Sequence, residues 1–243
     1  FFSHFYGRGF QWYSRFFHEA IEQIAVGENS PSYFHHPLAP ARAKEFDPDF
    51  RILVVLRDPI ERAFSNHLHL IKAGYLRGPD LTFEQGLRNN PMYVEQSRYA
   101  THLRCWLSHF SQERVLVLLQ EEIHRNPEAA ARQIYQFLEV REHPPKSSTR
   151  RTNESRLADN AHLESVLERT SQVVRKMGLH HVASNTRVRH WIDQIRRANS
   201  TDLREIVPPM RTETRSELMT LLRPEVEALA RLLNRTEFPW KNW

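Results

Sequence analysis

RILVVLRDPIERAFSNHLHLIKAGY, residues 51–75, carries a strand, a helix cap and an amphipathic helix in one run. Residues 51–57 enclose, between Arg51 and Arg57, a short continuous apolar stretch of Ile, Leu and Val, the pattern of a strand covered on both faces. Asp58 is a favoured N-cap, Pro59 suits the first helical position, and Glu61 stands where a capping box places its carboxylate. Beyond the cap, Ile60, Ala63, Phe64, His67, Leu68 and Ile71 share one helical face, while Arg62, Ser65 and His69 fall on another. A helix that starts at the carboxyl end of a parallel strand offers free N–H groups and positive potential to an anion. Arg57 and Ser65 can converge there on one phosphate, the Arg by paired charge-assisted hydrogen bonds and the Ser by its O–H. The same residues also read as Arg57 paired with Asp58 or Glu61, and Ser65 as an ordinary solvated helix residue.

Two further apolar runs, residues 23–27 (QIAVG) and 114–120 (RVLVLLQ), read as strands, with helical patterns between and after them. The order predicts an α/β fold with a parallel sheet and crossover helices. Tyr99, Leu103, Trp106, Leu107 and Phe110 repeat at helical spacing, and Asn126-Pro127 opens a helix with Ile134, Phe137 and Leu138 turned inward. From residue 144 to about 161 the chain turns polar and loses periodicity, a loop by composition. After it only helices are predicted: a stripe from Leu163 to Met177 ended by Gly178, a second helix around Trp191, and a final pair broken at Pro224. The expected division is an α/β core over 1–143, a loop and helical insertion over 144–204, and C-terminal helices over 205–243 that complete the core domain.

Composition narrows the function. The 243 residues allow one to two domains, and 40% hydrophobic with 26% charged residues is globular, which excludes collagen-like and disordered classes. A single Cys, Cys105, excludes an intramolecular disulfide framework and a multi-cysteine zinc site. No apolar run reaches the roughly 18 residues of a membrane span. Of 34 basic residues only 5 are Lys, and guanidinium suits phosphate, sulfate and carboxylate partners, although a biased base composition produces the same excess. Fourteen His residues come without a carboxylate-supported ligand spacing, so no metal is expected. The Arg-bearing helix predicted over residues 186–199 reads as a solvated basic face or a site for an acidic glycan, with nucleic acid or an anionic membrane surface as further readings.

Four motifs in order, GENSPSYF (27–34), RDPIERAFSNHLHLIKAGY (57–75), SRYATHLRCWLSHF (97–110) and RVLVLLQEEIHRNPEAAARQIYQFLEV (114–140), resemble the sulfotransferases that use 3′-phosphoadenosine 5′-phosphosulfate. The likeness is to the glycan-modifying branch that includes heparan sulfate sulfotransferases and bacterial relatives, and the ending RPEVEALARLLNRTEFPWKNW extends it. The resemblance implies a P-loop-NTPase-like α/β fold, a phosphosulfate donor with adenosine 3′,5′-bisphosphate as product, no metal, and a hydroxyl or amine acceptor such as that of a glycan. It assigns the donor's 3′-phosphate to Arg57 and Ser65, and further donor contacts to the basic loop at Lys146, Arg150, Arg151 and Asn153. It places Arg98 and Tyr99, with Tyr93 and His102, near the acceptor cleft.

Two departures from the family pattern stand out. The Lys-Gly-Thr-Thr-like loop that cradles the 5′-phosphosulfate is absent, and the family's Lys-Glu motif would precede Phe1, so a missing upstream segment is expected. Asn29 stands where a Lys often assists the transferring group; it can donate a hydrogen bond but cannot neutralise charge. His4 and Glu28 are then the local candidates for the acid/base role. The alternatives are a surface aromatic contact for His4 and a capping or ion-pairing role for Glu28. The expected setting is cytoplasmic and bacterial-type, with the Golgi lumen as the alternative; no nucleic-acid partner is expected. A rival of another class is a non-catalytic nucleotide- or polyanion-binding module of the same fold.

Overall fold

The computed structural model of the chain describes residues 1–20, 22–143, 156–158, 194, 199–241 and 243. Two compact units emerge, the first made of Phe1–Ala63, Asn90–Thr149 and Thr212–Trp243, the second of Phe64–Asn89 and Arg150–Arg211.

The first unit is built on two parallel strands, β1 (Ile52–Leu56) and β2 (Val115–Leu119), paired in register from Ile52↔Val115 to Leu56↔Leu119. Preceding them are the short helices α1 (Phe10–Ser14), α2 (Ser32–His35) and α3 (Ala39–Phe46). Helix α4 (Pro59–Lys72) begins in the first unit and ends in the second, where α5 (Phe83–Asn89) follows. The chain returns to the first unit with α6 (Met92–Glu95) and α7 (Tyr99–Leu107), and after β2 with α8 (Gln120–Arg125) and α9 (Pro127–Leu138). Asn126 caps α9 by accepting from the Ala129 N–H at 3.0 Å, as Asn-Pro predicts.

One core cluster joins Val54, Leu56 and Leu119 of the strands to Tyr99, Ala100 and Leu103 of α7, to Val226 and Leu229 of the last helix, and to Phe238 and Trp240. Each large side chain removed from water there contributes roughly 1.5–3 kcal/mol. The buried face of α4 is the one its periodicity predicts: Ile60, Ala63, Phe64, His67, Leu68 and Ile71 are all buried. A second cluster gathers Phe1, Phe2, Tyr13, Ala39, Ala43, Trp106 and Phe110, so the aromatic N-terminal run is core, not tail.

Four expectations are corrected. Residues 23–27 form no strand: Ile24 is 87% exposed, and an apolar run with no ladder partner and no face to bury cannot hold extended pairing. The strands are also not covered on both faces, since Leu53 and Val55 on one side of β1 are 40% and 49% exposed. Beyond residue 144 the chain is not purely helical. In the second unit β3 (Arg156–Ala158) pairs antiparallel with β4 (Ser200–Asp202), and Asp202 caps α10 (Leu203–Ile206) through the Arg204 N–H at 2.9 Å. Finally, α11 (Thr212–Leu232) runs through Pro224 without a break. Leu222 and Val226 on either side of the proline are buried, and Glu225 accepts from the Thr101 N–H (3.0 Å) and Oγ1 (2.6 Å) at the start of α7. Packing and this cross-helix cap offset the roughly 3 kcal/mol that an internal proline costs. The predicted helices over 163–177 and around Trp191 lie outside the described residues.

Candidate active site

Side chains from three segments tie the carboxyl ends of β1 and β2 together. Asp58, two positions beyond β1 and 5% exposed, accepts at Oδ1 from the backbone N–H groups of Ile60 (2.8 Å) and Glu61 (3.0 Å), which caps α4. Its Oδ2 accepts from Trp243 Nε1 at 3.0 Å. Glu121, in the first turn of α8, accepts the Asp58 N–H at 3.0 Å and Trp240 Nε1 at 3.1 Å. The N–H that a capping box would give to Glu61 thus goes to Glu121, because the parallel register brings the two strand ends level; Glu61 pairs with Arg215 on α11.

With Asp58 and Glu61 engaged elsewhere, Arg57 forms no ion pair among the described residues, so the bland pairing that the sequence allows is not the one adopted. Its Nε is buried and finds no hydrogen-bond partner among the described residues. A buried N–H left unmet costs free energy until an acceptor arrives. Here it stands at the N-terminus of a 14-residue helix, where the helix dipole also favours negative charge. That donor set fits a phosphate. Ser65 lies on the part of α4 that belongs to the second unit and is half-buried.

Arg62 is the second cation of this region. It donates from Nε to Ser97 Oγ (2.9 Å), from one terminal nitrogen to Gln96 Oε1 (2.9 Å) and from the other to the Tyr93 carbonyl, while Ser97 Oγ donates to the Pro59 carbonyl at 2.8 Å. None of these acceptors is a carboxylate. Burial, reinforced by the nearby Arg57 charge, pulls the Arg62 pKa below the ordinary guanidinium value. Arg57 and Arg62 thus bring two guanidinium groups without a carboxylate partner among the described residues to the start of α4, beside the hydrogen-bonded carboxylates of Asp58 and Glu121.

Glu28 is exposed yet fixed. Its Oε1 accepts from Tyr13 Oη (2.6 Å) and Tyr33 Oη (2.9 Å), and its Oε2 from Ser30 Oγ at 3.2 Å. Burial first, then the bond to Glu28, raises the Tyr13 pKa well above the usual phenol range, and burial raises Tyr33 in the same direction, so both stay O–H donors. His4 is exposed, its ring 6.2 Å from His36, and Asn29 is exposed beside Glu28. Arg98 stands at the N-cap position of α7, without a side-chain capping bond, and pairs with Glu95 at 3.0 Å. Tyr99 is 3% exposed, with its ring 6.2 Å from both Phe34 and Trp240, and so packs in the core. Lys146, Arg150, Arg151 and Asn153 lie outside the described residues.

A cleft of about 310 Å³ opens beside this network, lined among others by Phe34, His35, Met92, Glu95, His102 and Cys105. Burial foremost, then the charges of His102, Arg62, His36 and His4, pushes the His35 pKa down to about 4. A neutral His35 ring lies with Nε2 3.4 Å from Gln96 Nε2, which links it through Gln96 to Arg62. Sequence reading found none of Arg62's acceptors, the tyrosine clamp on Glu28, or this cleft, because each depends on distant segments meeting in space, 15 positions apart for Tyr13 and Glu28, 35 for Arg62 and Ser97, and 61 for His35 and Gln96. Among the described residues no group of three or more His, Cys, Asp or Glu side chains is placed to hold a metal ion. No described helix is long and apolar enough to cross a membrane.

The sulfotransferase domain profile matches residues 5–219. This chain belongs to the sulfotransferase family. A solved sulfotransferase from Alicyclobacillus acidocaldarius shares the fold, with a TM-score of 0.60 and 24% identity over 95% of this chain and 73% of that one. The α/β class expected from the strand and helix order is therefore the fold of a sulfotransferase. Mouse heparan sulfate glucosamine 3-O-sulfotransferase 3A1 is 30% identical over 148 residues, 57% of this chain and 37% of its own length. The mouse bifunctional heparan sulfate N-deacetylase/N-sulfotransferase 4 is 29% identical over 156 residues, 57% of this chain and 17% of its own. The chain thus spans less than half the length of these curated relatives.

Proposed function

We propose that this sulfotransferase moves a sulfuryl group from 3′-phosphoadenosine 5′-phosphosulfate to a hydroxyl or amine of a glycan, leaving adenosine 3′,5′-bisphosphate. The observation that carries the reading is the buried, unpartnered Nε of Arg57 at the head of α4. Arg57 and Ser65 hold the 3′-phosphate by paired N–H donors and a hydroxyl. Lys146, Arg150 and Arg151 add donor contacts. When bound, the donor supplies the sulfuryl group for an in-line displacement, in which the S–O bond to the 5′-phosphate breaks as the bond from acceptor to sulfur forms.

Glu28 takes the acceptor's proton at Oε2, because Tyr13 and Tyr33 hold the other oxygen. His4 orients the acceptor and Asn29 donates a hydrogen bond toward the transferring group. Arg98 serves the acceptor side with Tyr99 behind it in the core. The heparan sulfate named in the relatives supports a glycan acceptor, and the lone Cys105 supports a cytoplasmic setting.

Transfer of labelled sulfuryl to a desulfated heparan-type polysaccharide tests this. Label incorporation is expected, and Glu28→Gln is expected to lower it at least about a hundredfold with donor affinity intact. Donor binding without transfer to any hydroxyl- or amine-bearing glycan would overturn the reading in favour of a nucleotide-binding module.

A further inference from the structure

The first 18 residues contain no Asp or Glu but hold Arg8 and Arg15 among nine Phe, Trp and Tyr side chains. Both arginines are exposed. Each lies over two rings: the Arg8 guanidinium is 6.0 Å from the Phe5 centroid and 5.2 Å from that of Trp12, and the Arg15 guanidinium is 5.2 Å from Trp12 and 5.6 Å from Phe16. Phe5, Arg8, Trp12, Arg15 and Phe16 thus form a ladder along one face, at near-helical spacing. Neither guanidinium group has a carboxylate or hydrogen-bond partner among the described residues. Since both sit over one indole, their guanidinium carbons are separated by no more than about twice the distance from ring to cation. Aromatic contact holds the forks in place, so little side-chain entropy remains to be lost on binding.

We propose that this ladder is a docking surface for an extended anionic glycan, reading sulfate or carboxylate groups on neighbouring sugars with Arg8 and Arg15. The reading rests on the glycan acceptor proposed above and adds a surface separate from the donor-binding residues. Charge complementarity favours this occupant: two unneutralised, pre-positioned guanidinium groups suit paired sulfate or uronate groups. Single-stranded nucleic acid binds largely by stacking bases on open ring faces, and here guanidinium groups stand over the Trp12 ring.

Calorimetric titration of the intact chain with a sulfated heparan-type octasaccharide tests the proposal, alongside a single-stranded polynucleotide of matched charge. Arg8→Ala/Arg15→Ala is expected to weaken octasaccharide binding about tenfold and to flatten its salt dependence. Binding of adenosine 3′,5′-bisphosphate, measured in parallel, is expected to stay unchanged and shows that the variant is folded. Arg8→Lys/Arg15→Lys is expected to recover only part of the loss, since the fork is gone while the charge remains. Octasaccharide affinity that is absent in the wild type or unaltered in the alanine variant would overturn the proposal, as would a polynucleotide that binds as tightly and responds in the same way. Failure of bisphosphate binding in the wild type would instead count against the donor assignment alone.

Discussion

Asp58 does two separable jobs, and a pair of substitutions distinguishes them. Its Oδ1 caps α4 by accepting two backbone N–H groups, while its Oδ2 accepts from Trp243. Asp58→Ala removes both: about 1–2 kcal/mol for the cap and about 0.5–1.5 kcal/mol for the indole bond. The expected loss is therefore about 1.5–3.5 kcal/mol. Asp58→Asn keeps an oxygen as good at capping as the carboxylate, but its amide NH₂ then faces the indole N–H donor to donor. It is expected to lose only the Trp243 bond, about 1 kcal/mol. Trp243→Phe alone is expected to cost a similar amount, and in the Asp58→Asn background to cost little more, because the bond is already gone. Urea unfolding followed by far-ultraviolet circular dichroism reads all four variants, with the m-value as the check that the end states are unchanged. Asparagine as damaging as alanine, or a Trp243→Phe cost that adds in full to Asp58→Asn, would refute this division of labour.

His35 gives the fold an acid-sensitive element: its pKa is pushed down to about 4, so between that value and the ordinary 6.5 the unfolded chain binds a proton that the folded one does not. Stability is thus lost as pH falls through that window, and His35→Gln is expected to flatten this limb of a stability–pH curve; an unaltered limb would place the sensitivity in other groups. Pro224→Ala restores an N–H that can donate to the Thr220 carbonyl inside α11 and is expected to stabilise the chain by about 1–2 kcal/mol in urea. A lower midpoint would mean that the proline itself helps seat Leu222 and Val226.

The strand–cap–helix run over residues 51–75 was legible because its signals are local and agree with one another: the apolar run, Asp58, Pro59 and the six buried positions of α4 all lie within a few turns. The QIAVG run misled because a strand exists only with a partner, and single-sequence patterning does not register whether one is there. Pro224 misled for the opposite reason, since contacts with α7 hold a helix that local propensity would end. At the site, Arg57 could be named from its place at a strand end, but its lack of a carboxylate partner could not. That depends on Glu121 arriving in register from β2 and on Arg215 drawing Glu61 away. Arg62 likewise reads as an exposed polar-face residue until the turn around Tyr93–Ser97 closes over it.

The central claim is that Arg57 and Ser65 form a 3′-phosphate site. Calorimetric titration with adenosine 3′,5′-bisphosphate against 5′-AMP, on the wild type and on Arg57→Ala and Ser65→Ala, tests it most directly. The wild type is expected to prefer the bisphosphate by at least about tenfold, consistent with charge-assisted bonds of about 1.5–3 kcal/mol, and both variants are expected to lose that preference while remaining folded. Equal affinity for the two nucleotides in the wild type, or a preference that survives both substitutions, would contradict it.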